Sequence, residues 1–224
     1  TVDEGAALVL KPGGLLIDDS VEYLTGMPLQ YLKPKVPATF YVKAQALNFC
    51  GHIEAPSGSV FFTLRDTVVT PNANNPGTRE VRVKQRAYLS SVSSIKVAGE
   101  KVDNTLAGPY AALLRGHLDG GEIQIIDSTG SGAETIVVSN AILDVSAGCS
   151  LEPEGGTATG SAGRLFLEGT TLVVGSDGLR GFSMPDDSGG TISFHSDKVT
   201  ITKEKPNIPT DLSFDSDLPV ELKG

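Results

Sequence analysis

Apolar and polar residues alternate along this chain in short runs, and turn residues return at near-regular intervals between them. The second half shows it most openly. Gly120-Gly121-Glu122-Ile123-Gln124-Ile125-Ile126 is followed by Thr135-Ile136-Val137-Val138, then Asn140 and Ala141-Ile142-Leu143-Asp144-Val145-Ser146. The unit returns as Gly163-Arg164-Leu165-Phe166-Leu167-Glu168-Gly169-Thr170-Thr171-Leu172-Val173-Val174, and again from Gly189-Gly190 through Thr191 to Ile201. A period of two predicts strands, with Ile123 and Ile125, Leu165 and Leu167, Ile192 and Phe194, and Val199 and Ile201 on one side and polar residues turned to water. The glycines at 121, 163 and 190 lie 42 and 27 residues apart. With a coil of about 20 residues, 42 reads as two coils and 27 as one coil with an insertion at Phe182 to Ser188. Strands this short, at so constant a spacing, predict an all-β fold: a single-stranded parallel β-helix, a solenoid with extra-helical loops.

The first half follows the same grammar with more interruption. Leu47, Phe49, Gly51 and Ile53 alternate, Ala55-Pro56-Ser57-Gly58 turns, and Ser59-Val60-Phe61-Phe62-Thr63-Leu64 resumes. Val81 to Lys84 and Ser94 to Gly99 read as further strands. Thr70 to Thr78 reads as a surface loop, and Asp103 to Leu118 as an excursion that leaves the rod, with room for a turn of helix. Met27-Pro28, Lys33-Pro34 and Val36-Pro37 argue against a central strand in residues 20 to 40. The expected layout is an irregular N-terminal segment with the first coils over 1–43, repeats over 44–203 with excursions at 70–78 and 103–118, and a loosely packed acidic tail over 204–224. The strand-like runs that begin directly after Thr1 lead us to expect a piece of a longer polypeptide.

Composition narrows the function classes. Of 224 residues 26 are glycine, aromatics make up 6% and there is no tryptophan, which suits a turn-rich β chain. The formal charge is −9 with scattered Lys and Arg, so no basic footprint for nucleic acid or an anionic membrane is present. No apolar run reaches the roughly 20 residues of a membrane-spanning helix, so no membrane insertion is expected. Cys50 and Cys149 stand in no C-x-x-C, and His52, His117 and His195 are dispersed; neither a metal nor a cofactor is expected. At about 20 residues per coil the two thiols fall four or five coils and roughly 20 Å apart, beyond disulfide reach.

Leu47-Asn48-Phe49-Cys50-Gly51-His52-Ile53-Glu54-Ala55-Pro56-Ser57-Gly58-Ser59-Val60 resembles the N-x-G-x-I-x-A-P-x-G-x-V unit of filamentous-haemagglutinin-like exoproteins exported by two-partner secretion. Ser94 to Asn104, followed by Leu118-Asp119-Gly120-Gly121-Glu122-Ile123, is similar to that family's "I-x-V-S-G … V-N/D-N … L-x-G-G-x-I" passage, and Ile142 to Gly148 to its "L-D-V-S-G-G" step. The resemblance covers about residues 44 to 203. It implies a right-handed β-helix in a long secreted protein at the bacterial cell surface, serving adhesion to a host cell or matrix.

β-Helices also include polysaccharide lyases and hydrolases, whose chemistry needs clustered carboxylates. Asp18-Asp19 and Asp186-Asp187 are the paired carboxylates, but Ile17-Asp18-Asp19-Ser20 and Pro185-Asp186-Asp187-Ser188 both read as turns whose carboxylates cap backbone N–H groups. Gly51-His52 and Gly116-His117 lack an acid–base partner in sequence, and His195 is expected to face solvent. Gly175-Ser176-Asp177-Gly178 lacks the G-G-x-G-x-D pattern of a calcium-binding turn. No catalytic residue is assigned, and the expectation is a non-enzymatic binding module. Loops carry specificity in such scaffolds, which singles out Asn72, Asn74 and Asn75 in one excursion and Tyr110 and His117 in the other. The expected partners are a host-cell or matrix glycan or protein, or other segments of the same rod.

Overall fold

The computed structural model describes residues 7–9, 36–44, 46–64, 86–106, 115–127 and 135–203. Their strands, in chain order, are β1 (Ala7–Val9), β2 (Thr39–Ala44), β3 (Ala46–Phe49), β4 (His52–Glu54), β5 (Ser59–Leu64), β6 (Arg86–Leu89), β7 (Ser94–Lys96), β8 (Lys101–Asp103) and β9 (Glu122–Asp127). They continue as β10 (Thr135–Val138), β11 (Ile142–Asp144), β12 (Cys149–Leu151), β13 (Thr157–Thr159), β14 (Arg164–Glu168), β15 (Thr171–Gly175), β16 (Leu179–Arg180), β17 (Thr191–His195) and β18 (Lys198–Thr202).

These strands form three five-stranded parallel sheets, ordered β2-β5-β9-β14-β17, β3-β6-β10-β15-β18 and β1-β4-β7-β11-β16. We call them the first, second and third faces. The chain visits the faces in that order and returns to the first one rung higher, which is a parallel β-helix. A right-handed sense is the rule for such parallel crossovers.

Register places like on like. On the first face Val60, Ile123, Leu165 and Ile192 stack, as do Phe62, Ile125, Leu167 and Phe194. On the second, Leu47, Ala87, Ile136, Leu172 and Val199 align, with Phe49, Leu89, Val138, Val174 and Ile201 beside them. On the third, Ile53, Ile95, Leu143 and Leu179 follow one another. From Leu47 to Val174 these inward residues make one continuous core cluster, almost all of it sealed from water. The period-two reading therefore identifies the inward residues correctly.

Two expectations need correction. The first is the coil length. Glu122 on β9 pairs directly with Arg164 on β14, so a sequence separation of 42 makes a single coil, not two. The bare coil is seen where Thr39 pairs with Ser59; the coil from Ser59 to Glu122 is far longer, and the one from Arg164 to Thr191 exceeds the bare coil only slightly. The surplus between Glu122 and Arg164 includes the antiparallel pair β12–β13, and β12 pairs in parallel with β8 of the coil below. Two successive excursions thus lean on each other as a small side sheet, ordered β13-β12-β8. Consequently Cys50, after β3, and Cys149, which opens β12, stand only two coils apart; both are free thiols.

The second correction concerns the outward face of the second sheet, where polar residues were expected. Tyr88, Val137 and Val173 stack there as a separate apolar cluster, with Val137 wholly buried. Thr135-Ile136-Val137-Val138 is a nearly continuous apolar run, which suits a strand covered on both sides. β2, Thr39–Ala44, pairs in register with β5, a first coil that leads into the repeats at residue 44. The strand expected at Val81 to Lys84, the loop at 70–78 and the tail over 204–224 lie outside the described residues, as does the centre of the 103–118 excursion.

Candidate binding cleft

The glycines that mark the repeat build the corner where the chain enters the first face. A Cβ on Gly121 would collide with the Gly58 carbonyl oxygen, and one on Gly163 with that of Gly121. With no side chain in the way, the backbones approach closely enough to hydrogen-bond up the stack: Glu122 N–H to Gly58 C=O at 2.9 Å, Arg164 N–H to Gly121 C=O at 3.0 Å, and Thr191 N–H to Gly163 C=O at 3.1 Å.

Beside this corner the returning end of the 103–118 excursion forms the wall of a cleft of about 350 Å³, lined by Pro37, Ser57, residues 116–120, Thr159 and Gly160. The wall is held from three coils at once. His117 exchanges hydrogen bonds with Glu100: its N–H donates to Glu100 Oε2 at 2.8 Å, and its carbonyl accepts from the Glu100 N–H at 2.7 Å. The Ser57 hydroxyl donates to the same carbonyl at 2.8 Å. Gly116 adopts φ +75°, a conformation open to glycine, and packs over the Glu100 carboxylate. Above, the Ser161 N–H donates to Asp119 Oδ1 at 2.8 Å, and the Gly148 N–H to the Leu118 carbonyl at 2.6 Å.

The side sheet flanks the same excursion. Arg115 Nε donates to Glu152 Oε1 at 3.0 Å, and this hydrogen bond holds the Glu152 carboxyl below its ordinary range. Asn104 Nδ2 donates to the Ser150 hydroxyl at 2.9 Å, both residues being buried. At the outer lip Asp103 accepts from both the hydroxyl and the N–H of Thr105, and these two bonds lower its pKa.

Of the residues singled out in the sequence, His117 lines this cleft, while Asn72, Asn74, Asn75 and Tyr110 lie outside the described residues. Sequence reasoning missed Asp119, Ser57 and Thr159. His117 stood inside an excursion already expected from the sequence, but nothing local announces that Ser57, at a sequence separation of 60 from His117, stands one coil below it. Asp187 accepts from the Thr159 hydroxyl, so its carboxylate ties a tertiary contact rather than capping backbone N–H groups as expected. Among the described residues no three His, Cys, Asp or Glu side chains gather as a metal site, and Ser176–Gly178 forms a 3-10 turn. His52 Nδ1 lies 2.8 Å from the Ser94 hydroxyl, and the exposed His195 lies 3.4 Å from Glu168.

Chemically the cleft is lined by a carboxylate, an imidazole and two hydroxyls, a set suited to hydrogen-bonding a hydroxylated ligand. Comparison of the chain with protein-family models, with curated proteins and with solved structures gave no match in any of the three.

Proposed function

We propose that this chain is a rod-forming, ligand-binding segment of a large secreted bacterial surface adhesin, filamentous-haemagglutinin-like in kind, which attaches the cell to a host or matrix glycan or protein. One observation carries the reading. Successive coils run from Thr39 to Ser59, on to Glu122, to Arg164 and to Thr191, stretches of very unequal length, yet the inward ladders keep their register throughout. The interior therefore tolerates wide variation in what leaves the corners, which is the property a surface scaffold uses to present contacts. The sequence motifs at 47–60, 94–104 and 142–148 support the family assignment, and the cleft at His117 and Asp119 is our candidate contact.

The test is binding of the whole chain to arrayed glycans and to immobilised matrix proteins, with H117A and D119A as variants. Retained folding with binding weakened about tenfold or more by either substitution supports the reading, since one lost charge-assisted hydrogen bond is worth roughly 1.5–3 kcal/mol. Absence of binding to every ligand would reduce the chain to a spacer, and release of shortened saccharides on incubation would replace the adhesin with an enzyme.

A further inference from the structure

We propose that the His117 cleft takes a cationic amino sugar, a hydroxylated ring that carries a protonated amine, with the amine against Asp119. The inference rests on the reading of this cleft as a contact site and names the class of ligand it would hold.

The donors on the walls of the cleft are largely turned into the protein. The Ser57 N–H donates to the Ala98 carbonyl at 3.0 Å, and the Ser57 hydroxyl to the His117 carbonyl at 2.8 Å. The N–H groups of His117 and Gly120 go to Glu100 Oε2 and to the Ser161 carbonyl, each at 2.8 Å, and that of Gly160 to the Gly148 carbonyl at 3.3 Å. The Thr159 hydroxyl donates to the Asp187 carboxylate, and Pro37 has no N–H to offer. What these walls keep is acceptor capacity. A hydroxyl that has given its hydrogen retains lone pairs on oxygen, and the Asp119 carboxylate, with Oδ1 engaged by the Ser161 N–H at 2.8 Å, has a second oxygen. The His117 imidazole brings a donor or an acceptor according to its tautomer. A wall of acceptors is satisfied by a ligand rich in donors.

Charge points the same way. Asp119 lines the cleft, and two further carboxylates stand one hydrogen bond behind its walls, Glu100 behind His117 and Asp187 behind Thr159. Among the described residues no Lys or Arg lines the cleft, and Arg115, where the wall begins, is engaged by Glu152 at 3.0 Å. A protonated amine brings both donors and the missing positive charge, and its hydrogen bonds to a carboxylate are of the strong, charge-assisted kind. The rest of the lining decides what carries the amine. Among the described residues only Pro37 and Leu118 bring apolar side chains to the cleft, so the methylene stem of a lysine would find little to pack against. Ring hydroxyls, by contrast, would donate to the lone pairs of Ser57 and Thr159. The volume of about 350 Å³ is near the lower bound of small-molecule sites, the scale of a short stretch of a glycan.

Isothermal titration calorimetry of the whole chain at about pH 6, below the range in which such an amine loses its proton, tests this with three probes. They are a glucosamine tetrasaccharide, the glucose tetrasaccharide of the same linkage, in which each amine is replaced by a hydroxyl, and Nα-acetyl-lysine amide. We expect the glucosamine oligomer to bind at least about tenfold more tightly than either other probe. D119N, which retains an oxygen for the Ser161 N–H, should erase the preference over the glucose oligomer without weakening the glucose oligomer itself, whereas a merely structural fault would weaken both. Equal affinity for the two oligomers, a preference that survives D119N, or tighter binding of the lysine probe would each overturn the proposal. A chain that binds other glycans through His117 and Asp119 but not the glucosamine oligomer would overturn this inference alone; one that binds no glycan or matrix protein at all would overturn the contact reading with it.

Discussion

Gly121 and Gly156 are the same residue type under opposite constraints. At Gly121 an added methyl meets a backbone carbonyl that cannot move without dragging a neighbouring coil, whereas at Gly156 nothing lies within 4 Å. We expect Gly121→Ala to lower stability by about 2 kcal/mol or more and Gly156→Ala to change it by less than about 0.5 kcal/mol, measured by urea unfolding. Equal effects would show that the glycine corner is not close-packed. A second residue-scale expectation concerns Glu152. The Arg115 hydrogen bond holds its carboxyl below the ordinary value of 4.5, so its contribution to stability is present above that pH and is lost as pH falls through the lower folded value. A carboxyl NMR titration should find a depressed midpoint that returns toward 4.5 in R115A; an unmoved midpoint would remove Arg115 as the cause.

At the scale of elements, each short strand is stabilised by the layers above and below it. Leu143 on β11 lies between Ile95 and Leu179 and is wholly buried, so Leu143→Ala should cost about 2–5 kcal/mol in thermal or urea unfolding. The side sheet should respond differently. Asn104→Ala leaves the buried Ser150 hydroxyl without that donor, a loss of about 1–3 kcal/mol, and should loosen β8 and β12 while the central ladders keep their amide protection. This element also marks the limit of sequence reading. The inward residues of β9 and β14 were legible because alternation is local. The hairpin β12–β13 was not, because Cys149-Ser150-Leu151 and Thr157-Ala158-Thr159 are too short and too polar to declare their partners. The stretch from Glu122 to Arg164 divides as readily into two bare coils as into one coil with an excursion. The candidate site shared this limit: His117 stood out within a loop, but Ser57, Asp119 and Thr159 meet beside it only because three coils stack there.

For the molecule as a whole, contacts run between successive layers, so protection should be graded rather than uniform. Hydrogen exchange should be slowest in β9, β10 and β14, which have partners on both sides, and fastest in β17 and β18, which among the described residues pair on one side. Flat protection along the rod would contradict a layered solenoid. The alternation of apolar residues and the spacing of glycines by themselves determined that this chain makes short strands, which residues of β9, β14, β17 and β18 point inward, and that the strands wind rather than form a meander; these properties depend on neighbours in sequence and on the room a glycine leaves. Only the tertiary structure decided how much chain completes each coil, which excursions lean on one another and which groups meet at the His117 cleft. Each of those depends on residues far apart in sequence that are brought together by the stacking of whole coils.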